Sequence, residues 1–115
     1  MTHKTRLLGH ADFHILLVLF DREQHGYGIM KEVSAITNGA LTLGPGTLYG
    51  AIRRLLSAGL IEESENRPTA SRDDSRRTCY YRITRSGRKV VVDECARIAD
   101  LMKVAESKGA VVVGS

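Results

Sequence analysis

At 115 residues the chain has room for one domain with a modest core and not for a second unit. Its make-up, 43% hydrophobic and 26% charged, is that of an ordinary soluble protein, and its longest apolar run, Ile15 to Phe20, falls far short of the roughly 18 residues a membrane-spanning helix needs. The formal net charge of +4 is concentrated: residues 67–89 hold eight basic side chains against Asp73 and Asp74, while the rest of the chain is slightly acidic.

In chain order, Met1 to Asp12 has no apolar signal core, so a cytoplasmic location is expected. Asp12 to Phe20 predicts a buried first helix, with Asp12 as its N-cap and Phe13, Leu16, Leu17 and Phe20 on the inner side. His10 and His14 are four apart, but no third ligand accompanies them and no metal is expected. Asp21 to Gly26 reads as a polar connector. Tyr27 to Gly39 then predicts a second helix carrying Ile29, Val33 and Ile36 on one face, with Asn38-Gly39 as its stop.

The third helix begins at Gly44-Pro45, since proline suits the first helical position, and Gly59 supplies a left-handed stop. At 100° per residue Leu48, Ile52, Leu55 and Leu56 share the core side, while Thr47, Gly50, Arg53, Arg54 and Ser57 share the other. A glycine in a helix interior costs about 1 kcal/mol relative to alanine. On an outward face Gly50 lets another surface come close, and a DNA major groove is one that would use the space.

Leu60 to Glu65 and Cys79 to Thr84 have strand character, and the stretch between them is turn-rich and arginine-bearing. Two strands joined by such a loop after three helices predict a wing. The third helix would enter the major groove and the wing arginines Arg72, Arg76 and Arg77 would meet the phosphate backbone. Tyr80 and Tyr81 are adjacent in a strand, so one faces in and the other out.

After Thr84, a capping residue, the last helix repeats Val91, Cys95, Ile98, Met102 and Ala105 at 4-3-4-3 spacing, a seam suited to packing on another helix. Leu101 and Val104 widen the apolar surface. The expectation is a homodimer built from a DNA-binding unit over residues 1–84, a dimerisation helix over 85–108 and a tail over 109–115. The fold class is mainly α with a small β-hairpin, α+β overall.

Three segments, His25 to Val33, Leu43 to Glu63 and Arg76 to Val91, resemble in order and spacing the PadR family of bacterial transcriptional regulators. The resemblance covers roughly residues 10–105. It implies a winged helix-turn-helix with a C-terminal dimerisation helix, acting as a repressor on operator DNA and in many members responding to a small-molecule effector. By motif, Tyr27 and Lys31 belong to the supporting helix, Thr47, Tyr49, Arg53 and Arg54 to the recognition helix, and Arg76, Arg77 and Tyr80 to the wing. This chain has Gly44 where members usually carry a capping serine or asparagine, and Gly50 where a longer polar residue is common. It has no tryptophan, the residue with which some members stack flat ligands.

Other classes are less well served. No phosphate-cradling glycine loop, nucleophile elbow or convincing acid–base pair is present, so no enzyme and no cofactor are expected. The two cysteines, Cys79 and Cys95, are too few for a disulfide framework and have no metal-type spacing. A winged-helix adaptor that binds protein rather than DNA is the alternative reading, and the arginine-rich wing weighs against it.

Overall fold

The computed structural model describes residues 10–64 and 79–111. The elements are α1 (His10–Val18), β1 (Gln24–His25), α2 (Gly26–Ile36), α3 (Pro45–Ser57), β2 (Ile61–Ser64), β3 (Tyr80–Ile83) and α4 (Arg85–Ser107). Three helices, a small antiparallel sheet and a long last helix form a winged helix-turn-helix with a C-terminal helix.

Helix α1 is apolar almost all round, as befits a helix enclosed by neighbours. It packs against α2, α3 and α4. Ile15, Leu16, Val18 and Leu19 are buried, Phe13 and Phe20 pack at the edge of the core, and Leu17 is exposed. The expected inner face is therefore rotated. A uniformly apolar run does not define one side by itself, and the positions of the three neighbours choose it. Asp12 is not the N-cap: it is the third residue of α1 and is buried, its carboxylate facing α3.

Helix α2 is capped by a residue the sequence reading assigned to the connector. His25 Nδ1 accepts the Gly28 N–H at 3.0 Å, which satisfies one of the four unpaired N–H groups of a helix start. Ile29 and Val33 are buried, but Ile36 is exposed, because it is the last helical residue and the chain turns away at once. Thr37 Oγ1 closes that turn, donating to the Val33 carbonyl at 2.9 Å and accepting from Leu41 N at 3.0 Å. Asn38 and Gly39 then take positive φ, 54° and 82°, ending α2 where expected.

Helix α3 starts with Pro45 in its first turn after Gly44, whose lack of a side chain leaves the cap without a side-chain bond. Leu48, Ala51, Ile52 and Leu55 are buried and Leu56 is half-buried. Gly59, at φ 74°, provides the left-handed exit.

The sheet has three strands in the order β1-β3-β2, all antiparallel neighbours. The third strand, β1, lies in the segment read as a polar connector: Gln24 pairs with Tyr81 and His25 with Tyr80. A strand of this length has no alternation to detect. In β3 Tyr81 and Ile83 face the core while Tyr80 is half-buried and Arg82 exposed, which settles the alternation of the two tyrosines. The loop assigned to the wing tip, with Arg67, Arg72, Arg76 and Arg77, lies outside the described residues.

Thr84 caps α4, its Oγ1 accepting Gly87 N–H at 3.0 Å while donating to the Gly59 carbonyl at 2.7 Å. The same side chain thus ties the start of α4 to the exit of α3. Val90 and Val91 pack on the core, and Arg88 lies 4.8 Å over the Phe20 ring. Beyond that point α4 leaves the domain. The radius of gyration is 16.2 Å, against roughly 13 Å for a compact chain of this size. No helix among the described residues is long and apolar enough to cross a membrane.

Candidate nucleic-acid interface

Because one side of α3 is locked into the core by Leu48, Ala51, Ile52 and Leu55, its opposite side is fixed in orientation and faces outward. Thr47, Tyr49, Arg53, Arg54 and Ser57 are exposed there, with Gly50 between them. Nothing lies within 4 Å of a Cβ built at Gly44 or Gly46, so the start of the ridge is open.

The two arginines of the ridge differ. Arg53 makes no ion pair among the described residues. Arg54 Nη2 donates to Asp12 Oδ1 at 2.8 Å and its Nε lies 3.5 Å from Oδ2, a two-point grip by a carboxylate that is itself buried. That grip holds the guanidinium still more firmly protonated, first through the hydrogen bond and then through the charge of Asp12. The Arg54 side chain as a whole is 61% exposed and remains on the surface.

Tyr49 is part packed and part exposed, and the packed part includes its hydroxyl end. Its ring closes over Gly26 at the start of α2, and 42% of the residue stays exposed. Tyr80 meets the same region from the sheet, its ring edge-on to His25 at 5.2 Å and 84°. Four elements, β1, α2, α3 and β3, thus meet at His25, Gly26, Tyr49 and Tyr80. The His-Gly-Tyr-Gly stretch gives no local sign of these contacts, because Tyr49 and Tyr80 lie far along the chain. Tyr27 and Lys31 stand exposed on the first turns of α2, the Lys31 ammonium 5.5 Å from the Tyr27 ring centroid.

The basic stretch is less free than its charge suggests. Arg82 Nε bonds Glu62 at 2.8 Å and its Nη1 lies 3.8 Å from Glu23, Lys89 pairs with Asp93 at 3.2 Å, and Arg88 covers Phe20. These side chains serve the fold. Arg72, Arg76 and Arg77 belong to the part of the wing outside the described residues.

On α4 the expected seam divides. Val91 is buried within its own protomer and so packs on the winged-helix unit instead of a partner. Cys95, Ile98 and Met102 are exposed, as are Leu101 and Val104, while Ala105 is half-buried. Arg97 and Glu94 pair across one turn, with Arg97 Nε 3.2 Å from Glu94 Oε1, and the hydrogen bond from Arg97 lowers the Glu94 pKa.

The family model for PadR-like transcriptional regulators matches residues 15–93. The chain belongs to the PadR-like family of transcriptional regulators. Solved structures agree with this placement. A transcriptional regulator from Clostridium thermocellum is 28% identical with a TM-score of 0.70, the match covering 93% of this chain and 95% of that one. A PadR family transcription regulator from Clostridium difficile R20291 is 25% identical with a TM-score of 0.71 over 86% of this chain and 97% of its own. The PadR protein of Bacillus subtilis, solved with operator DNA, shares the fold at 19% identity and a TM-score of 0.62, over 73% of this chain and 45% of that longer one. In this PadR-like regulator, then, α3 is the second helix of the helix-turn-helix and its polar ridge faces outward.

Proposed function

We propose that this PadR-like regulator binds double-stranded DNA sequence-specifically as a homodimeric repressor, with α3 in the major groove. The observation that carries the reading is the outward ridge of Thr47, Tyr49, Arg53 and Arg54, exposed around Gly50 and fixed in orientation by the buried face behind it. Thr47, Arg53 and Arg54 are suited to base edges, where a good bidentate arginine–guanine pair discriminates by about 1–3 kcal/mol. Tyr27 and Lys31 on α2, the exposed part of Tyr49 and Tyr80 on β3 are suited to phosphate oxygens, as are the wing residues Arg72, Arg76 and Arg77. The operator complex of the Bacillus subtilis PadR protein supports this assignment by the shared fold.

The distal half of α4 supports the dimer. Ile98, Leu101, Met102 and Val104 leave an apolar strip on a helix that has already left its domain, a strip that a second copy would cover. A two-fold dimer would set two recognition helices about one DNA turn, roughly 34–36 Å, apart and so would read a pseudo-palindrome.

The test is a fluorescence-anisotropy titration of labelled duplexes from the region upstream of the protein's own gene, repeated with rising salt. Affinity should fall steeply, because each neutralised phosphate releases condensed counterion. Little binding at any salt would overturn the reading in favour of a protein-binding adaptor.

A further inference from the structure

The recognition-helix ridge carries two adjacent arginines of which one is gripped from behind. Asp12 comes from α1, 42 positions earlier in the chain, and its side chain is only 9% exposed. A buried carboxylate keeps its place, so the two contacts at 2.8 and 3.5 Å fix the Nε–Nη2 edge of Arg54. The opposite end of the guanidinium lies along the ridge: a Cβ built at Gly50 would sit 3.9 Å from Arg54 Nη1. Gly50 leaves that end uncovered, where a longer residue would reach across it. Arg53, one residue earlier, has no such anchor among the described residues.

We propose that Asp12 is a positioning residue for DNA readout: it clamps Arg54 from the core side so that the free guanidinium end is presented over Gly50 in a single orientation. This rests on the DNA-binding reading of α3. An arginine already held in one rotamer loses little freedom on meeting its base, and it cannot swing to a neighbouring phosphate. The clamp therefore raises discrimination between sequences. At the same time the Asp12 charge opposes the DNA phosphates, so it lowers affinity for duplex in general. This pair of opposite effects separates positioning from a merely structural role, whose loss would weaken binding to every duplex alike.

The experiment compares the full-length wild type, Asp12→Asn, Arg54→Gln and the double variant by anisotropy. Two probes are used: a duplex of about 30 bp enriched by the wild type from a randomised pool, long enough for two half-sites, and the unselected pool. Asp12→Asn should bind the unselected pool at least as tightly as the wild type, yet lose about tenfold in preference for the enriched duplex. Adding Arg54→Gln should change that preference by no more than about twofold further, because Asp12 acts through Arg54. A folded Asp12→Asn protein that keeps its preference, or that weakens equally on both probes, overturns the proposal. If Asp12→Asn does not fold, Arg54→Lys decides: it retains a cation on Asp12 but lacks the fork, so the same loss of preference is expected and full preference overturns the clamp. A wild type that enriches no sequence overturns the DNA-reading assignment itself, an outcome distinct from a specific wild type whose Asp12 variant is unaffected.

Discussion

The hydroxyl end of Tyr49 on α3 rests against Gly26 at the start of α2, so closely that a Cβ at Gly26 would lie 2.3 Å from Tyr49 Oη and 2.9 Å from Cζ. No side chain fits beneath that ring. The contact brings α3 close against the start of α2, where a residue without a side chain stands. Gly26→Ala should therefore push the Tyr49 ring outward and destabilise by about 1–2 kcal/mol, a thermal-midpoint loss of several degrees. An unchanged midpoint in a scanning-calorimetry trace would show that the ring moves aside freely.

Gly87 is under a harder constraint. An added Cβ would lie 2.2 Å from the Leu60 carbonyl oxygen and 2.7 Å from Ile83 Cγ1, and the nearer atom is backbone that cannot rotate away. Gly87→Ala should cost about 3 kcal/mol by overpacking, more than Gly26→Ala, and urea denaturation of the two variants side by side checks the order.

The ridge arginines should separate in a paired measurement. Arg53→Ala removes a cation that makes no ion pair among the described residues and should leave stability within about 0.5 kcal/mol of wild type while reducing operator preference. Arg54→Ala strands the buried Asp12 carboxylate, so it should lose about 1–3 kcal/mol of stability as well as preference. Equal melting curves for the two variants would mean that the ion pair contributes nothing to folding.

Ile98→Glu places a charge in the middle of the exposed α4 strip, far from the core of its own protomer. Monomers with intact thermal unfolding and weak operator binding are expected by sedimentation and anisotropy. A variant that remains a tight-binding dimer would move the interface elsewhere.

Tyr81 gives an alkaline signature. Burial first, then the neighbouring Cys79, Glu63 and Tyr49, push its phenol up to about 12 from 10.0. The folded value lies above the unfolded one, so the unfolded chain releases this proton first, and the stabilisation is complete below about pH 10 and drains away as pH rises toward 12. The stability difference between wild type and Tyr81→Phe should shift against the wild type by about 2 kcal/mol across that window. Parallel curves in urea titrations at pH 9 to 12 would contradict the assignment.

How far the chain could be read in advance follows from the reach of each interaction. Pro45, Gly59, Thr84 and Asn38-Gly39 act on backbone within a few residues of themselves, so the starts and stops they imply are found in the structure. The core side of α3 was equally plain, since leucine and isoleucine spacing is enough when the other side is polar. Asp12 misled for the same reason: a short polar residue before an apolar run has the local look of a cap. Its partner is Arg54, 42 residues away.

Local chemistry thus established which segments are helical, where they end and which ridge of α3 is polar, because those properties depend on periodicity and on the conformational limits of glycine and proline. Whether Leu17 or Leu19 faces inward, that Gln24 and His25 join the sheet, that Arg82 and Lys89 are bound to carboxylates, and that Asp12 grips Arg54 and not its neighbour Arg53 all required the folded chain. Each of these depends on which residue a side chain meets once the elements have packed. No spacing rule along a single chain encodes that meeting.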